Sequence, residues 1–351
     1  MKELRHIWLG LKLLRQTRLN SDLFKFINNY FKTQFLNKDK NTTVYYPTHI
    51  SLELSGHCNL HCITCPREYA FGKEMDKGYM PLENAKRIID EVYPYLISIS
   101  LTGLGETFLY PHLTEVLKYI KSKKKSIITT MSTNALFDGF MDKLVDSLPY
   151  IDNLQISVDG VGEGYQRIRP NTDFSQLKKN IIEIRRLSNN TELRLNMVIT
   201  RKNYDQLPMI VKFAHEMGIQ FVNANYLNVA SVTEYGKDYY DFFHTDEFKS
   251  KISETYQSLS KYPDVNITGL DFPGKPGIRK CPFVWTFFYI TWNGFIAPCC
   301  AKPFPKEYNY GNVINSSVIE VLNSPKAKAF RTSWQKNEPL PFCTNCQFIE
   351  L

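Results

Sequence analysis

The sequence has no long hydrophobic run, although 43% of its 351 residues are hydrophobic. No stretch approaches the roughly 18 consecutive apolar residues that a membrane-spanning helix needs, which excludes such a helix. The chain also shows no secretory leader and no block of like charges, because its 43 basic and 35 acidic residues are spread along its length. The dispersed net charge of +8 is typical of a solvated surface. We therefore expect a cytoplasmic protein without a nucleic-acid partner.

Cysteine is scarce, with eight residues that fall into two separated groups. The cysteines show CxxC-type spacings and the sequence shows no secretory leader. Together these features favour metal binding in a reduced compartment over a disulfide framework. A chain of this length and hydrophobic content can bury a large core and form one large domain with a smaller one.

The first group consists of Cys58, Cys62 and Cys65 and directly follows a predicted strand. Iron-sulfur clusters are held by cysteine thiolates, normally one per iron, so three cysteines leave one iron of a [4Fe-4S] cluster open to a further ligand. Zinc is an alternative, because it takes four nitrogen or sulfur ligands and His57 and His61 lie beside these cysteines. Buried thiols without a metal are a second alternative.

Between residue 46 and about residue 230, short β-branched runs alternate with helical patterns, which predicts an α/β fold of βα units around a parallel sheet. Six strands are predicted, near Ile50 to Leu54, Ile97 to Thr102, Ile127 to Ser132, Leu154 to Val158, Leu193 to Ile199 and Phe221 to Asn225. The intervening helices are predicted near residues 82–95, 112–124, 138–148, 174–188 and 204–217. Six units do not complete the closed eight-stranded barrel.

The C-x3-C-x2-C spacing of the first group resembles the radical S-adenosylmethionine (SAM) superfamily. The resemblance implies a partial (β/α)6 barrel, which agrees with the six predicted strands. It also implies that Cys58, Cys62 and Cys65 hold a [4Fe-4S] cluster whose open iron is chelated by the amino and carboxylate groups of SAM. Thr64 departs from the family, where the residue before the last cysteine is usually aromatic.

Polar and glycine residues follow the predicted strands, at the sheet edge where ligands bind in parallel α/β folds. Residues 102–107 are similar to the family's Gly-Gly-Glu-Pro motif, with Leu104 inserted and Thr107 in place of proline. The resemblance implies SAM contacts by Gly105 and Glu106 (ammonium), Ser132 and Asn134 (pocket lining), Ser157 and Asp159 (ribose), Arg169 (carboxylate) and Asn196 (fifth strand). Singly, each also fits a turn or a helix cap, but their order after successive strands favours one site.

The second cysteine group lies near the carboxyl end: Cys281, Cys299, Cys300, Cys343 and Cys346. With Gly294 five residues before Cys299, it resembles the SPASM auxiliary-cluster domain of many radical SAM enzymes, whose first half reads Cys, a gap, then Gly-x4-Cys. Four of the cysteines, all but Cys300, fit one auxiliary [4Fe-4S] cluster, as in the shortened twitch form of the domain. A four-cysteine zinc ribbon is the alternative.

Cys300 is left over and is our candidate catalytic residue. Neighbouring side chains of an extended segment point to opposite faces, so Cys299 can bind iron while Cys300 points elsewhere. A simple buried thiol is the alternative.

The resemblance implies that one electron from the reduced cluster cleaves SAM to methionine and a 5'-deoxyadenosyl radical, which takes a hydrogen atom from an unactivated carbon. Two outcomes fit the chain: dehydrogenation, in which the auxiliary cluster accepts an electron, and epimerisation, in which Cys300 returns a hydrogen atom. Either outcome requires an external electron donor such as flavodoxin or ferredoxin.

Residues 1–45 show amphipathic helical patterns and are too short for the peptide-recognition domain that many peptide-modifying members carry. We therefore expect a carbohydrate-type small molecule as substrate; a ribosomally made peptide is one alternative, and a non-catalytic metal scaffold is another. Packing of residues 1–45 on the main domain is favoured over contact with a membrane surface. The predicted domains are a helical extension (1–45), the partial barrel (46–232), a linker helix and loop (233–278) and the auxiliary-cluster domain (279–351).

Overall fold

The computed structural model describes residues 21–35, 40–232, 234–270, 281, 283–343 and 346. Its centre is one nine-stranded sheet in the order β7-β6-β5-β4-β3-β2-β1-β8-β9. The strands are His49–Leu52 (β1), Ser98–Ser100 (β2), Ile128–Thr133 (β3), Asn153–Ser157 (β4), Glu192–Ile199 (β5), Phe221–Tyr226 (β6), Asn266–Thr268 (β7), Phe288–Ile290 (β8) and Ile296–Ala297 (β9). All neighbours are parallel except β8 and β9.

The α-helices of the described residues connect and cover this sheet. They are Ser21–Gln34 (α1), Ala70–Lys73 (α2), Leu82–Val92 (α3), Leu113–Lys123 (α4), Phe140–Ser147 (α5), Glu163–Ile168 (α6), Phe174–Leu187 (α7), Leu207–Glu216 (α8), Asp246–Lys261 (α9), Phe283–Thr286 (α10), Val318–Leu322 (α11) and Pro325–Gln335 (α12). In α3 the buried residues recur at helical spacing, as Ala85, Ile88, Ile89 and Val92, so one stripe of the helix faces the core.

The sheet of the described residues is open, because its order begins at β7 and ends at β9 without pairing the two ends. The six predicted strands are all present as β1 to β6, which confirms the α/β partial barrel. The sequence analysis missed β7, which lies in the segment predicted to be a linker helix and loop. Three residues are too few to show a strand periodicity, and pairing with β6 decides their conformation. The Pro-Gly-rich part of that segment lies outside the described residues.

The two faces of the sheet differ in polarity. In β4, Leu154 and Ile156 are buried, whereas the alternate residues Asn153, Gln155 and Ser157 are partly exposed. Because side chains alternate across a strand, the apolar face is the one that packs against the helices, and the opposite, concave face carries the polar residues. A polar concave face distinguishes this open barrel from a closed barrel with a packed interior.

Helix α1 is attached to the barrel by one face only. The Asn29 side chain donates to the Tyr46 carbonyl at 2.9 Å and accepts from the Tyr46 N–H at 3.1 Å. Phe24, Phe31 and Phe35 are exposed on the helix and just beyond it. Residues 1–20 of the predicted extension lie outside the described residues, and no helix of the described part is long and apolar enough to cross a membrane.

The C-terminal cysteine-rich part is joined to the barrel through the sheet. Its strand β8 pairs in parallel with β1, and the Trp292 side chain, two residues beyond β8, covers Gly56 and Gly78. A Cβ added at Gly78 would lie 2.4 Å from the Trp292 ring, so this contact requires glycine. The domain boundaries given above stay predictions.

Candidate active site and its two cysteine sets

The loop after β1 brings Cys58, Cys62 and Cys65 within electrostatic reach of one another. Burial raises the pKa of all three thiols, that of Cys65 to about 12, and neighbouring thiols raise the pKa values of Cys62 and Cys65 further. Two cations act in the opposite direction: Arg67 lowers the pKa values of Cys58 and Cys65, and Arg169 lowers those of Cys58 and Cys62. The three thiols, of which Cys62 is buried and Cys58 and Cys65 are partly buried, therefore form one set beside fixed positive charge.

Gly105 fixes the position of this loop. A Cβ on residue 105 would lie 2.1 Å from the Ser55 carbonyl oxygen and 2.6 Å from that of His57, so no larger residue fits. The next residue, Glu106, donates its backbone N–H to the His57 carbonyl at 2.8 Å. The predicted SAM motif is thus packed directly against the chain that leads into Cys58.

Glu106 and Asn134 are also joined to the cysteine loop. The buried Glu106 carboxylate accepts from the Phe108 N–H at 3.1 Å and from the Asn134 N–H at 2.8 Å, and burial raises its pKa. The Asn134 amide lies 3.9 Å from the Cys58 sulfur and donates to Asn59 at 2.9 Å. These contacts bring the predicted residues Gly105, Glu106 and Asn134 together with Cys58.

Asp159 and Arg169 form a second group beside Cys62. Asp159 is fully buried, and its carboxylate accepts from the Arg169 Nε at 2.7 Å and from the Val198 N–H at 2.8 Å. Arg169 directly follows α6, and the Ile63 N–H of the cysteine loop donates to the Ile168 carbonyl at 3.0 Å. Arg169, predicted to contact the SAM carboxylate, and Asp159, predicted to contact the ribose, are therefore paired with each other in this structure.

Ser132, Ser157 and Asn196 lie on the polar concave face. Ser132 donates to the Gln155 side chain at 3.0 Å, and Ser157 and Asn196 are register partners on β4 and β5. Their roles toward SAM stay predictions.

Glu53 is a site residue that the sequence analysis missed. It lies one residue past β1, is fully buried, and accepts from the Leu104 N–H at 2.8 Å, the Tyr289 hydroxyl at 2.9 Å and the Trp292 N–H at 3.2 Å. A Cβ on Gly103 would lie 2.3 Å from the Glu53 Cγ, so this carboxylate explains the first glycine of the motif. The sequence feature that could have identified Glu53 is an acidic residue at the end of an otherwise apolar strand.

The second cysteine set is also assembled. Burial raises the pKa of Cys281 to about 11 and also raises that of Cys343, and both thiols interact electrostatically with Cys299 and Cys346. Lys302 is buried, donates to the Phe342 carbonyl at 2.7 Å, and lowers the pKa values of Cys299 and Cys343. A cation thus lies beside this set as well.

Cys300 lies with the second set. Its side chain is exposed, and the interaction between the Cys299 and Cys300 thiols lowers the pKa of Cys299 and raises that of Cys300. The structure therefore gives the chain five neighbouring thiols here, and the catalytic role of Cys300 stays a prediction.

The donor sets can be tested for their fit to a metal. Within the described part of the chain, no three His, Cys, Asp or Glu side chains are close enough to hold a single metal ion. Cysteines of an iron-sulfur cluster each bind a different iron, so they stand farther apart than the ligands of one zinc ion at about 2.3 Å. Partly buried, thiol-only sets beside cations fit negatively charged clusters better than mononuclear zinc.

Two family models match the chain. The model of the radical SAM superfamily matches residues 52–214, and that of SPASM, an iron-sulfur cluster-binding domain, matches residues 281–347. The partial barrel and its cysteine loop thus define a radical SAM enzyme, and the chain belongs to that superfamily. Its C-terminal part is a SPASM domain. These matches confirm the predicted family and its cofactors: SAM, a [4Fe-4S] cluster and auxiliary iron-sulfur binding.

Three curated proteins illustrate the sequence similarity. The antilisterial bacteriocin subtilosin biosynthesis protein AlbA of Bacillus subtilis is 25% identical over 84% of this chain and 62% of its own length. The PqqA peptide cyclase of Bradyrhizobium diazoefficiens is 25% identical over 90% of this chain and 83% of its own length. The tungsten-containing aldehyde ferredoxin oxidoreductase cofactor-modifying protein of Pyrococcus furiosus is 23% identical over 85% and 86%. The chain thus spans less than two thirds of the Bacillus protein.

A solved structure supports the fold. The crystal structure of Streptococcus suis SuiB bound to the precursor peptide SuiA superimposes with a TM-score of 0.62, at 18% identity, over 95% of this chain and 76% of that one. At this identity the likeness concerns the fold alone.

Proposed function

We propose that this protein uses the radical chemistry of SAM to modify a peptide. The relatives support a peptide better than the carbohydrate-type small molecule that the sequence analysis favoured. Two of them, each 25% identical over at least 84% of this chain, are named for bacteriocin biosynthesis and for cyclisation of a peptide. The Pyrococcus relative is named for modifying a cofactor, so a small molecule is the second candidate.

The observation that carries the radical chemistry is the contact of one sheet with both cysteine sets. Asn134 follows β3 and lies 3.9 Å from the Cys58 sulfur, and Asn228 follows β6 and donates to the Cys346 sulfur at 3.8 Å. Since carboxyl ends of parallel strands share one edge, both sets reach the same rim of the barrel. A substrate on the polar concave face would have access to both.

Cys58, Cys62 and Cys65 would hold the SAM-binding cluster. The other set, Cys281, Cys299, Cys343 and Cys346, would hold one auxiliary cluster. When bound, the cluster and SAM supply a carbon-centred radical that removes a hydrogen atom from the substrate. The chain's own residues orient these groups: Gly105 admits close backbone approach, and Asp159 holds Arg169 in a fixed position for a carboxylate.

The outcome at the substrate is a separate part of the proposal. Cys300 is the exposed thiol of the second set and the candidate hydrogen-atom donor for an epimerisation. A crosslink or a dehydrogenation would instead use the auxiliary cluster as electron acceptor. Each outcome needs an external electron donor, for which flavodoxin or ferredoxin is our expectation.

The test begins with anaerobic reconstitution of the full chain and reduction with dithionite in the presence of SAM. We expect 5'-deoxyadenosine from the wild type and none from the Cys58/Cys62/Cys65→Ala variant, because the latter cannot hold the SAM-binding cluster. Short peptides encoded beside the protein are then added, and their masses are compared before and after reaction.

A mass change or a D-residue in one peptide, absent with the triple variant, supports the peptide proposal. If a sugar or a cofactor precursor accelerates deoxyadenosine formation and no peptide does, a small molecule is the substrate and the peptide proposal is wrong. If the iron-loaded wild type does not cleave SAM, the result favours the alternative that the protein is a non-catalytic metal scaffold.

A further inference from the structure

One side of α1 presents large apolar side chains to solvent. Four of them lie three or four residues apart and therefore share one stripe of the helix, the apolar stripe. Their exposed fractions are 73% for Phe24, 37% for Ile27, 54% for Phe31 and 80% for Phe35. Phe35 lies just past α1 and continues the stripe, because its N–H donates to the Phe31 carbonyl at 3.0 Å and the two rings stack. An exposed apolar surface of this kind marks a site that binds a partner.

The apolar stripe lies in the most positively charged region of the chain. Lys25 and Lys32 are exposed on the same helix, whose one acidic residue is Asp22, 3.4 Å from the Lys25 ammonium. Residues 1–40 contain nine basic and three acidic side chains, so six of the eight net positive charges fall here. Residues 1–20 lie outside the described residues, and their sequence supplies four of these six charges. A basic, aromatic-rich amphipathic helix is typical of proteins that lie on an anionic membrane surface.

Helix α1 lies at the amino-terminal edge of the sheet. The Tyr93 hydroxyl, shortly before β2, donates to the Asp22 carboxylate at 3.0 Å. Lys124, shortly before β3, places its Nζ 4.7 Å from the Phe26 ring centroid. The two cysteine sets instead contact residues that follow β3 and β6, at the carboxyl edge. A surface bound to the apolar stripe therefore leaves the rim with the cysteine sets free for the substrate.

The charges decide among the possible occupants of the apolar stripe. A second copy of the chain would bring the same lysines against those already present. Residues 1–20 carry a net charge of +4, so packing them on the stripe would also bring like charges together. Anionic lipids offer negative headgroups above an apolar layer, which complements lysines beside phenylalanines.

We propose that α1, together with the basic residues before it, binds the surface of a membrane that contains anionic lipids. The apolar stripe enters the boundary between headgroups and acyl chains, and Lys25 and Lys32 contact the headgroups. The sequence analysis favoured packing of residues 1–45 on the main domain; α1 does pack there, but with one face only. The inference is independent of the proposed function, because neither a cluster nor SAM takes part in it.

The test is cosedimentation of the reconstituted full chain with lipid vesicles. One set consists of equal parts of phosphatidylcholine and phosphatidylglycerol, and the other of phosphatidylcholine alone. We expect binding to the anionic vesicles and at least about tenfold weaker binding to the neutral ones, because several lysines are attracted to anionic headgroups. Added salt should weaken the binding, since exposed charges are screened.

The apolar contribution is tested by Phe24/Phe31→Ser. We expect at least about tenfold weaker binding to the anionic vesicles, because two large apolar groups no longer enter the lipid. The matched control is Val145/Ile182→Ser, which removes two similarly exposed apolar side chains from α5 and α7. This control should bind as the wild type does.

The electrostatic contribution is tested by Lys25/Lys32→Glu, which should also weaken binding by at least about tenfold. Lys178/Lys179→Glu is the control, since it makes the same change in net charge at two exposed positions of α7. Equal losses in the two variants would mean that net charge alone drives binding, and would overturn the role of α1.

Failure of the wild type to bind anionic vesicles would overturn the proposal, as would unchanged binding of Phe24/Phe31→Ser. Two further measurements then identify what covers the stripe instead. A dimer in analytical ultracentrifugation that Phe24/Phe31→Ser dissociates indicates a second copy. A melting temperature lowered far more than in Val145/Ile182→Ser indicates residues 1–20.

Vesicle binding is also measured for the Cys58/Cys62/Cys65→Ala variant, which should bind as the wild type does. A wild type that binds vesicles but does not cleave SAM contradicts the proposed function and leaves the membrane proposal intact. A wild type that cleaves SAM but ignores anionic vesicles does the reverse.

Discussion

Arg331 carries a positive charge into the interior of the C-terminal domain. It is fully buried, and its Nη1 donates to the carbonyls of Thr42 at 2.9 Å and Leu322 at 2.8 Å. Its Nε also donates to the Val284 carbonyl at 3.4 Å, and its guanidinium lies 5.6 Å from the Tyr310 ring centroid and 6.0 Å from that of Phe288. Within the described residues it forms no ion pair, so carbonyl dipoles and aromatic rings surround the charge. Because Thr42 precedes the barrel and Leu322 belongs to α11, this one side chain connects distant parts of the chain.

Arg331→Met tests that connection at the residue scale. We expect a loss of about 2–4 kcal/mol in the free energy of unfolding, because the carbonyls of Thr42, Val284 and Leu322 each lose a donor. Chemical denaturation measures it, with Arg186→Met as control, since Arg186 forms an exposed pair with Glu183 and should cost little. Equal costs for the two variants would contradict the role of Arg331.

At the scale of elements, the segment after β2 controls the loop after β1. Gly105 packs on two backbone carbonyls, which cannot move aside as a flexible side chain could. The glycines of the motif therefore have a packing role whether or not they also contact SAM.

Gly105→Ala should displace the cysteine loop and lower the iron content toward that of the Cys58/Cys62/Cys65→Ala variant. Gly139→Ala is the control: residue 139 has a φ of +79° but open space around its Cβ position, so it should cost about 1 kcal/mol of stability and no iron. Iron per chain after anaerobic reconstitution is the measurement. Full iron loading of Gly105→Ala would show that the loop tolerates the methyl group.

At the scale of the whole molecule, Glu53 joins the barrel to the C-terminal domain. One buried carboxylate accepts from Leu104 on one side and from Tyr289 and Trp292 on the other. Burial raises the pKa of Glu53, an effect that these hydrogen bonds oppose. The folded state therefore holds its proton to a higher pH than the unfolded state.

The sign of the pH dependence follows from that shift. The contribution of Glu53 to stability is complete below its unfolded pKa of about 4.5 and is lost as the pH rises through the folded value. Glu53→Gln, which cannot ionise, should therefore lose less stability than the wild type between pH 4.5 and pH 7. Melting temperatures across this range measure the difference.

Glu183→Gln is the control with the opposite sign. Arg186 lowers the pKa of the exposed Glu183, so that pair contributes above the unfolded pKa and is lost as the pH falls. Parallel melting curves for Glu53→Gln and the wild type would mean that the buried carboxylate does not titrate in this range.

Much of the site was predictable because it depends on short-range spacing. The intervals among Cys58, Cys62 and Cys65 are local, and a strand before them is visible as a β-branched run. Glu53 was not predicted as a site residue, since its donors come from segments about 50 and more than 230 residues away in the sequence.

The sequence by itself determined the superfamily, the six βα units and the two cysteine sets, because strand periodicity and ligand spacing are properties of neighbouring residues. Only the tertiary structure decided that β8 pairs with β1, that β7 extends the other edge, and that both cysteine sets reach one rim of the barrel. These features depend on contacts between residues far apart in the chain. Their free energy comes from burial and hydrogen bonding that no local pattern records.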